Sequence, residues 1–183
     1  MKSNIKILAS IFLLAVFTYG FHLFSKNGDE PSASNNKVLE NDGIVLPDVL
    51  LDSKGNEVSV NIVKDKYVGL YFSASWCGPC RSFTPKLIDF KNKHADNFEV
   101  VLIGSDGSAK AQQNYMKKYK MPWLALINQS APARKISSQL EVEFIPYLVV
   151  LNQDGKVLTK NGKNDVVRLG EKAFSFWQQK EEN

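Results

Sequence analysis

The stretch SASWCGPCRSFTP, residues 73–85, contains both cysteines of the chain, Cys77 and Cys80. A structural disulfide between them would close a very short loop, and the stability that a disulfide adds grows with the loop it closes. A zinc site would need more ligands, because two thiolates supply half of a tetrahedral shell. The two histidines, His22 and His94, fall in an apolar N-terminal run and at the end of a predicted helix. We therefore predict no metal, and a dithiol that opens and closes.

The cysteines lie between a predicted strand and a predicted helix. The run YVGLYFSA, residues 67–74, is almost continuously apolar, which is typical of a strand covered on both faces. Large side chains at helical spacing then predict a helix from Gly78 to about His94. Cys77 is thus expected at a helix N-terminus, where N–H groups and the helix dipole stabilise negative charge. This position favours the thiolate of Cys77, which is the form that attacks disulfides.

The residues around Cys77 suit this chemistry. Cys80 is expected to be more buried than Cys77 and to resolve the mixed disulfide. Gly78 leaves room for a substrate backbone, and Pro79 lacks an N–H that the first helical turn would leave unpaired. Trp76 is interpreted either as an aromatic lid over the disulfide or as a core side chain. Arg81 either adds positive potential near the thiols or is a solvated helix charge.

The rest of the pattern predicts an α/β domain. A strand pair is expected at residues 44–60, before the cysteines. After them come a second buried strand at residues 98–106 and two helices at residues 108–119 and 130–140. A hairpin with a two-residue Asp-Gly connection follows at residues 147–162, and a single C-terminal helix at residues 166–180. This order predicts a central mixed sheet, with a parallel core and an antiparallel edge, flanked by helices on both faces.

The N-terminus resembles an export or anchoring segment. Lys2 and Lys6 precede a mostly apolar run that ends at Phe24, so residues 1–24 are predicted to be a signal peptide or membrane anchor rather than a buried helix. The lack of an Ala-x-Ala cleavage site slightly favours an uncleaved anchor. Residues 25–43 are polar and form a predicted linker, and residues 44–183 form the folded domain.

The position of the lysines predicts the side of the membrane on which the domain lies. By the positive-inside rule the lysines stay in the cytoplasm, so the domain is expected in the bacterial periplasm, or secreted if the segment is cleaved. The chain has 183 residues with 23 basic and 19 acidic side chains, a net charge of +4. This mild, scattered charge forms no basic stripe, so we expect no nucleic-acid partner.

Three segments carry a family resemblance. FSASWCGPCRSFTP (72–85), MPWLAL (121–126) and FIPYLVVLNQDGK (144–156) resemble the thioredoxin superfamily, and within it the tryparedoxin and nucleoredoxin branch. The resemblance implies a thioredoxin-like fold, with Cys77 as the nucleophile and Cys80 as the resolving thiol. It also implies that Pro146, after Ile145, is a cis-proline facing the disulfide. The Ile145 backbone would then be available to an extended substrate strand.

The sequence departs from these families at three places. Thioredoxins place a buried aspartate six residues before the first cysteine, where this chain has Tyr71, so proton transfer from Cys80 lacks an obvious base. Tryparedoxins carry a tryptophan after the second central strand, where this chain has IGSD, residues 103–106. They also have Pro-Pro between the cysteines where this chain has Gly-Pro. The resemblance therefore does not extend to recognition of their glutathione-conjugate substrate.

These features predict a thiol–disulfide oxidoreductase with no cofactor besides its own cysteine couple. The favoured interpretation is a membrane-tethered, monomeric reductase of disulfides in exported proteins, supplied with electrons by a membrane thiol donor. Two alternatives remain open, a disulfide donor or isomerase and a non-catalytic binding module that uses the same fold. Small differences in free energy decide whether the protein reduces or oxidises its substrates, because a change of 30 mV in the reduction potential of the cysteine couple corresponds to about 1.4 kcal/mol.

Overall fold

The computed structural model describes residues 43–181. The predicted signal or anchor, residues 1–24, and the predicted linker up to residue 42 lie outside this range. Within residues 43–181, no helix is both long enough and apolar enough to cross a bilayer. In chain order the elements are β1 (Val49–Leu51), β2 (Glu57–Ser59), a 3-10 helix (Val60–Val63), β3 (Tyr67–Ser73), α1 (Gly78–Lys93), β4 (Phe98–Gly104), α2 (Ala109–Tyr119), β5 (Leu124–Ala125), α3 (Ala131–Gln139), β6 (Tyr147–Leu151), β7 (Val157–Thr159), α4 (Gly162–Leu169) and α5 (Lys172–Glu181).

The strands form one mixed sheet in the order β2-β1-β5-β4-β3-β6-β7. The central strand β3 pairs parallel with β4, and β4 pairs parallel with β5. The pairings of β3 with β6, β6 with β7, β1 with β5 and β1 with β2 are antiparallel. The predicted parallel core with antiparallel edges is confirmed.

The two faces of the sheet are covered by different helices, because alternate residues of each strand point to opposite faces. On one face Tyr67 and Tyr71 of β3 belong to a core cluster with residues of α1, α2, α4 and α5, among them Leu87 and Trp177. On the other face Leu70 and Phe72 belong to a second cluster, which includes Ile136 of α3. All seven residues of β3 are buried, as expected of a strand covered on both sides.

The C-terminal part differs from the prediction of one helix over residues 166–180. It forms two helices, α4 and α5, because Gly170 adopts a positive φ of 54° that ends α4. The predicted hairpin is present, but its connection spans residues 152–156 rather than two residues. Asn152 organises this longer turn, since its side-chain oxygen accepts hydrogen bonds from the N–H groups of Asp154 and Lys156. The short strand β5 was not predicted.

Candidate active site

The two cysteines form a disulfide at the N-terminus of α1. The Cys77 Sγ–Cys80 Sγ distance is 2.11 Å and the two Cα atoms are 5.2 Å apart. Cys77 has an extended backbone (φ −79°, ψ 110°) and is the N-cap of the helix, and its Sγ lies 3.2 Å from the Cys80 nitrogen, from which it accepts a hydrogen bond. The first turn of α1 carries no acidic residue. The helix N-terminus therefore presents a backbone donor to the Cys77 sulfur, an arrangement that stabilises a thiolate.

The two sulfurs differ in access, as predicted. Cys80 is fully buried, whereas Cys77 retains 6% of its surface. Both pack with Ala74 in a small apolar cluster, and Ile145 packs against it. Cys77 is therefore less exposed in the oxidised form than a surface thiol would be.

The loop before β6 lies against the disulfide. The Ile145–Pro146 peptide bond is cis, as the family resemblance implied. The Ile145 carbonyl oxygen lies 3.9 Å from Cys77 Sγ, although the two residues are far apart in the sequence. Phe144, just before them, is 65% exposed, and its ring contacts that of Tyr147 with centroids 5.3 Å apart. The structure thus brings Cys77, Ile145 and Pro146 together beside an exposed aromatic side chain.

Trp76 and Arg81 lie at the rim of this site. Trp76 is 63% exposed and its indole N–H donates to the Ser105 carbonyl at 3.2 Å, so the interpretation as a core side chain is wrong. Arg81 is exposed, and its guanidinium donates to the Ser75 carbonyl at 3.0 Å. Gly78 is half-buried and Pro79 exposed, both in the first turn of α1. An added Cβ on Gly78 would meet only the Arg81 guanidinium, at 4.0 Å.

A buried carboxylate that the sequence analysis did not single out supports the segment before Cys77. Asp106 is 1% exposed, and its Oδ1 accepts hydrogen bonds from the Ser75 N–H at 3.0 Å and the Ser75 hydroxyl at 2.6 Å. The Asp106 carbonyl in turn accepts from the side-chain amides of Asn128 and Gln129. A signal for Asp106 exists in the sequence, because polar residues that follow adjacent parallel strands meet at one sheet edge.

Buried hydroxyl groups surround the carbonyl of Cys80. Tyr71 and Thr84 both donate to the Cys80 carbonyl oxygen, at 3.1 and 2.9 Å. Thr84 also bonds the Tyr115 hydroxyl at 2.9 Å, which bonds Ser73 at 3.1 Å. Burial, aided by nearby Tyr115, raises the pKa of Tyr71 well above its ordinary value of 10.0. Tyr71 is therefore a neutral donor at physiological pH, and it does not replace the aspartate of thioredoxins as a base.

Residues 43–181 contain no candidate site for metal chemistry. No group of three or more His, Cys, Asp or Glu side chains in this range could hold a metal ion. His94, considered above as a ligand, packs between Phe90 and Phe174, with ring centroids 4.7 and 4.8 Å away. What the arrangement can do is exchange one disulfide for another at Cys77.

The comparisons with known proteins agree with this site. Residues 65–157 match the family model described as thioredoxin-like. The chain is 44% identical over 129 residues to tryparedoxin of Trypanosoma brucei brucei, covering 68% of this chain and 88% of that protein. It is 35% identical over 136 residues to probable nucleoredoxin 1 of Arabidopsis thaliana, covering 73% of this chain but only 23% of that protein. The crystal structure of thioredoxin from Wuchereria bancrofti matches with a TM-score of 0.64 at 34% identity, over 75% of this chain and 98% of that one.

The fold and the disulfide define the class of this protein, a thiol–disulfide oxidoreductase. The chain belongs to the thioredoxin-like family and has homologues among the tryparedoxins and nucleoredoxins.

Proposed function

We propose that this oxidoreductase is a monomeric reductase of disulfides in exported proteins, tethered to the cell membrane by residues 1–24. The observation that carries the reductase assignment is Cys77 at the N-cap of α1, facing the Ile145–Pro146 loop. Gly78 and Pro79 between the cysteines, similar to the pair in reducing thioredoxins, support the direction. The predicted apolar N-terminal segment supports the location.

The reaction runs through a mixed disulfide. The Cys77 thiolate attacks one sulfur of the substrate disulfide and forms a new S–S bond with it. The substrate S–S bond breaks, and the other substrate sulfur leaves as a thiolate that takes a proton from water. Cys80 then loses its proton to solvent and attacks Cys77 Sγ, which releases the second substrate thiolate. The substrate gains two electrons and Cys77–Cys80 is left oxidised. A membrane dithiol donor supplies the two electrons that restore the reduced form.

The substrate is proposed to dock as an extended strand. The cis Ile145–Pro146 loop offers its backbone beside Cys77. The exposed rings of Trp76, next to Cys77 in the chain, and Phe144, next to Ile145, provide apolar contact. Among the residues of the site proposed here, Cys77 and Cys80 carry the chemistry. Trp76, Gly78, Pro79, Ile145 and Pro146 shape access to them.

The equilibrium potential of the Cys77–Cys80 couple against glutathione tests the direction. A reductase should lie near the value of thioredoxin, about −270 mV, whereas a value near that of a strong oxidant, about −120 mV, would reassign the protein as a disulfide donor. Turnover of insulin with dithiothreitol distinguishes catalysis from a binding scaffold.

For the location, a phosphatase reporter fused after Lys180 should be active only outside the cytoplasm, and reporter activity on the cytoplasmic side would reject the membrane-tethered assignment.

A further inference from the structure

A small cavity lies between α1 and α2, and its lining includes Ser75 and Arg81, which stand on either side of Cys77 in the chain. Its volume is about 280 Å³, which suits a side chain better than a drug-sized molecule. We call it the side cavity and define it by the residues Ser75, Arg81, Asn114, Tyr115, Lys118 and Tyr119. Ser75 places it two residues from Cys77 in the chain, and Arg81 lies one helical turn beyond Cys77, whose carbonyl accepts the Arg81 N–H. A substrate group next to the attacked disulfide can therefore reach it.

The charged side chains that line the side cavity are both cationic. Arg81 and Lys118 are exposed, and within residues 43–181 neither forms an ion pair with an acidic side chain. Arg81 is held in place because its guanidinium donates to the Ser75 carbonyl, and its other N–H groups stay available. The nearby carboxylate of Asp106 is buried and its Oδ1 is occupied by Ser75. Among residues 43–181, the cavity thus presents two cations that no acidic side chain pairs with, and none of the side chains that line it is acidic.

Helix α2, which forms one side of the cavity, adds to this asymmetry. It carries Lys110, Lys117 and Lys118 and no acidic residue. Positive potential of one sign attracts negatively charged partners and raises their rate of encounter. The rings of Tyr115 and Tyr119, in edge-to-face contact at 5.2 Å, supply an apolar wall for the methylene groups of an incoming side chain.

We propose that the side cavity is a subsite for an acidic side chain, an aspartate or glutamate, that flanks the disulfide of the protein substrate. This inference rests on the proposed function, since it concerns the substrates of the same cysteine couple. Arg81 and Lys118 bind the carboxylate while Cys77 attacks the neighbouring sulfur. The enzyme therefore selects disulfides in acidic surroundings.

The test uses two peptides, each with one intramolecular disulfide, that differ only in carrying Glu or Gln beside the cysteines. The second-order rate constant for reduction by the reduced protein is measured for both peptides, and their Glu/Gln ratio is compared between variants. Lys118→Gln should lower this ratio about threefold at low salt, which is within the range that an exposed ion pair supplies. Lys117→Gln is the matched control, because it removes one positive charge from the preceding residue of α2, which does not line the cavity.

An unchanged ratio in Lys118→Gln would overturn the subsite, and so would an equal fall in Lys117→Gln, which would show general charge steering. In either case the wild-type protein still reduces the Gln peptide, and the proposed reductase function stands. If the wild-type protein reduces neither peptide, the proposed function and the subsite both fail. Loss of the lysine effect in 0.5 M salt would support the ion pair, because salt screens exposed charges.

Discussion

Asp106 accepts both hydrogen-bond donors of Ser75, the backbone N–H at 3.0 Å and the hydroxyl at 2.6 Å. The neighbouring residues make a parallel contact, since the Trp76 indole donates to the Ser105 carbonyl. The two residues before Cys77 are thus tied to Ser105 and Asp106, the two residues that directly follow β4. This link explains how a nucleophile outside the sheet is held in a fixed position against the Ile145 loop.

Replacing the Asp106 carboxylate should loosen this link. In Asp106→Ala the Ser75 N–H and hydroxyl lose their acceptor, and we expect a loss of about 1–3 kcal/mol in the free energy of unfolding, measured in urea. The reduced protein should also react more slowly with iodoacetamide at Cys77, because the helix N-terminus no longer holds the sulfur in one position. Asp106→Asn keeps an oxygen acceptor of similar shape and should recover most of both properties. Equal losses in the two variants would show that the charge, not the hydrogen bonds, matters.

The unequal access of the two sulfurs leads to a trapping experiment. Cys80→Ser keeps the reachable Cys77 but removes the thiol that resolves the mixed disulfide, so covalent complexes with substrate proteins should accumulate. Cys77→Ser leaves only the fully buried Cys80 and should trap none. Non-reducing gel electrophoresis of cells that express each full-length variant makes the comparison. Equal trapping by both variants, or by neither, would contradict the assigned roles.

Gly78 provides a test of substrate approach that does not disturb the fold. An added Cβ would meet only the end of the Arg81 side chain at 4.0 Å, so Gly78→Ala should unfold at the same urea concentration as the wild-type protein or slightly higher. The methyl group would nevertheless occupy space next to Cys77 that a protein substrate needs. We expect slower reduction of insulin and an unchanged rate with a small aromatic disulfide. An equal effect on both substrates would argue against a close backbone approach at Gly78.

The sequence specified the local part of the site better than its long-range part. Strand β3, helix α1 and the position of Cys77 between them follow from apolar runs and helical spacing within 30 residues, about the size of one supersecondary unit. The cis Pro146 was expected only through the family resemblance, since the loop that holds it meets Cys77 through Ile145, 68 residues away in the sequence. The Ser75–Asp106 pair depends on the register of β3 with β4, which places Ser73 opposite Gly104. No local pattern encodes that register.

The C-terminal region shows a different reason for an incorrect prediction. The helical spacing of Val166, Ala173 and Trp177 in the sequence predicted one continuous helix, and all three do belong to one core cluster. The break at Gly170 divides the segment into α4 and α5, and both helices still bury apolar residues. Periodicity alone cannot distinguish these two solutions, because each places the same side chains in the core. The positive φ that glycine tolerates decides between them.

Tyr71 should make the stability of the fold sensitive to alkaline pH. Its pKa is raised in the folded state, first by burial and then by Tyr115, above the ordinary value of 10.0. Below about pH 10 the tyrosine is protonated in both states and its contribution to stability is fully present. Above that pH the unfolded chain releases the proton while the folded chain retains it. The free energy of unfolding therefore falls as pH rises, by up to about 1.4 kcal/mol per pH unit for one proton.

Urea unfolding of the wild-type protein and Tyr71→Phe between pH 8 and pH 11 measures this contribution. At pH 8 the variant should be less stable by about 1 kcal/mol, because the Cys80 carbonyl loses a buried hydrogen bond. Above pH 10 the wild-type curve should fall more steeply, so the two curves should converge. Parallel curves across the whole range would mean that Tyr71 titrates alike in both states, and that its burial beneath Cys80 does not favour the neutral form.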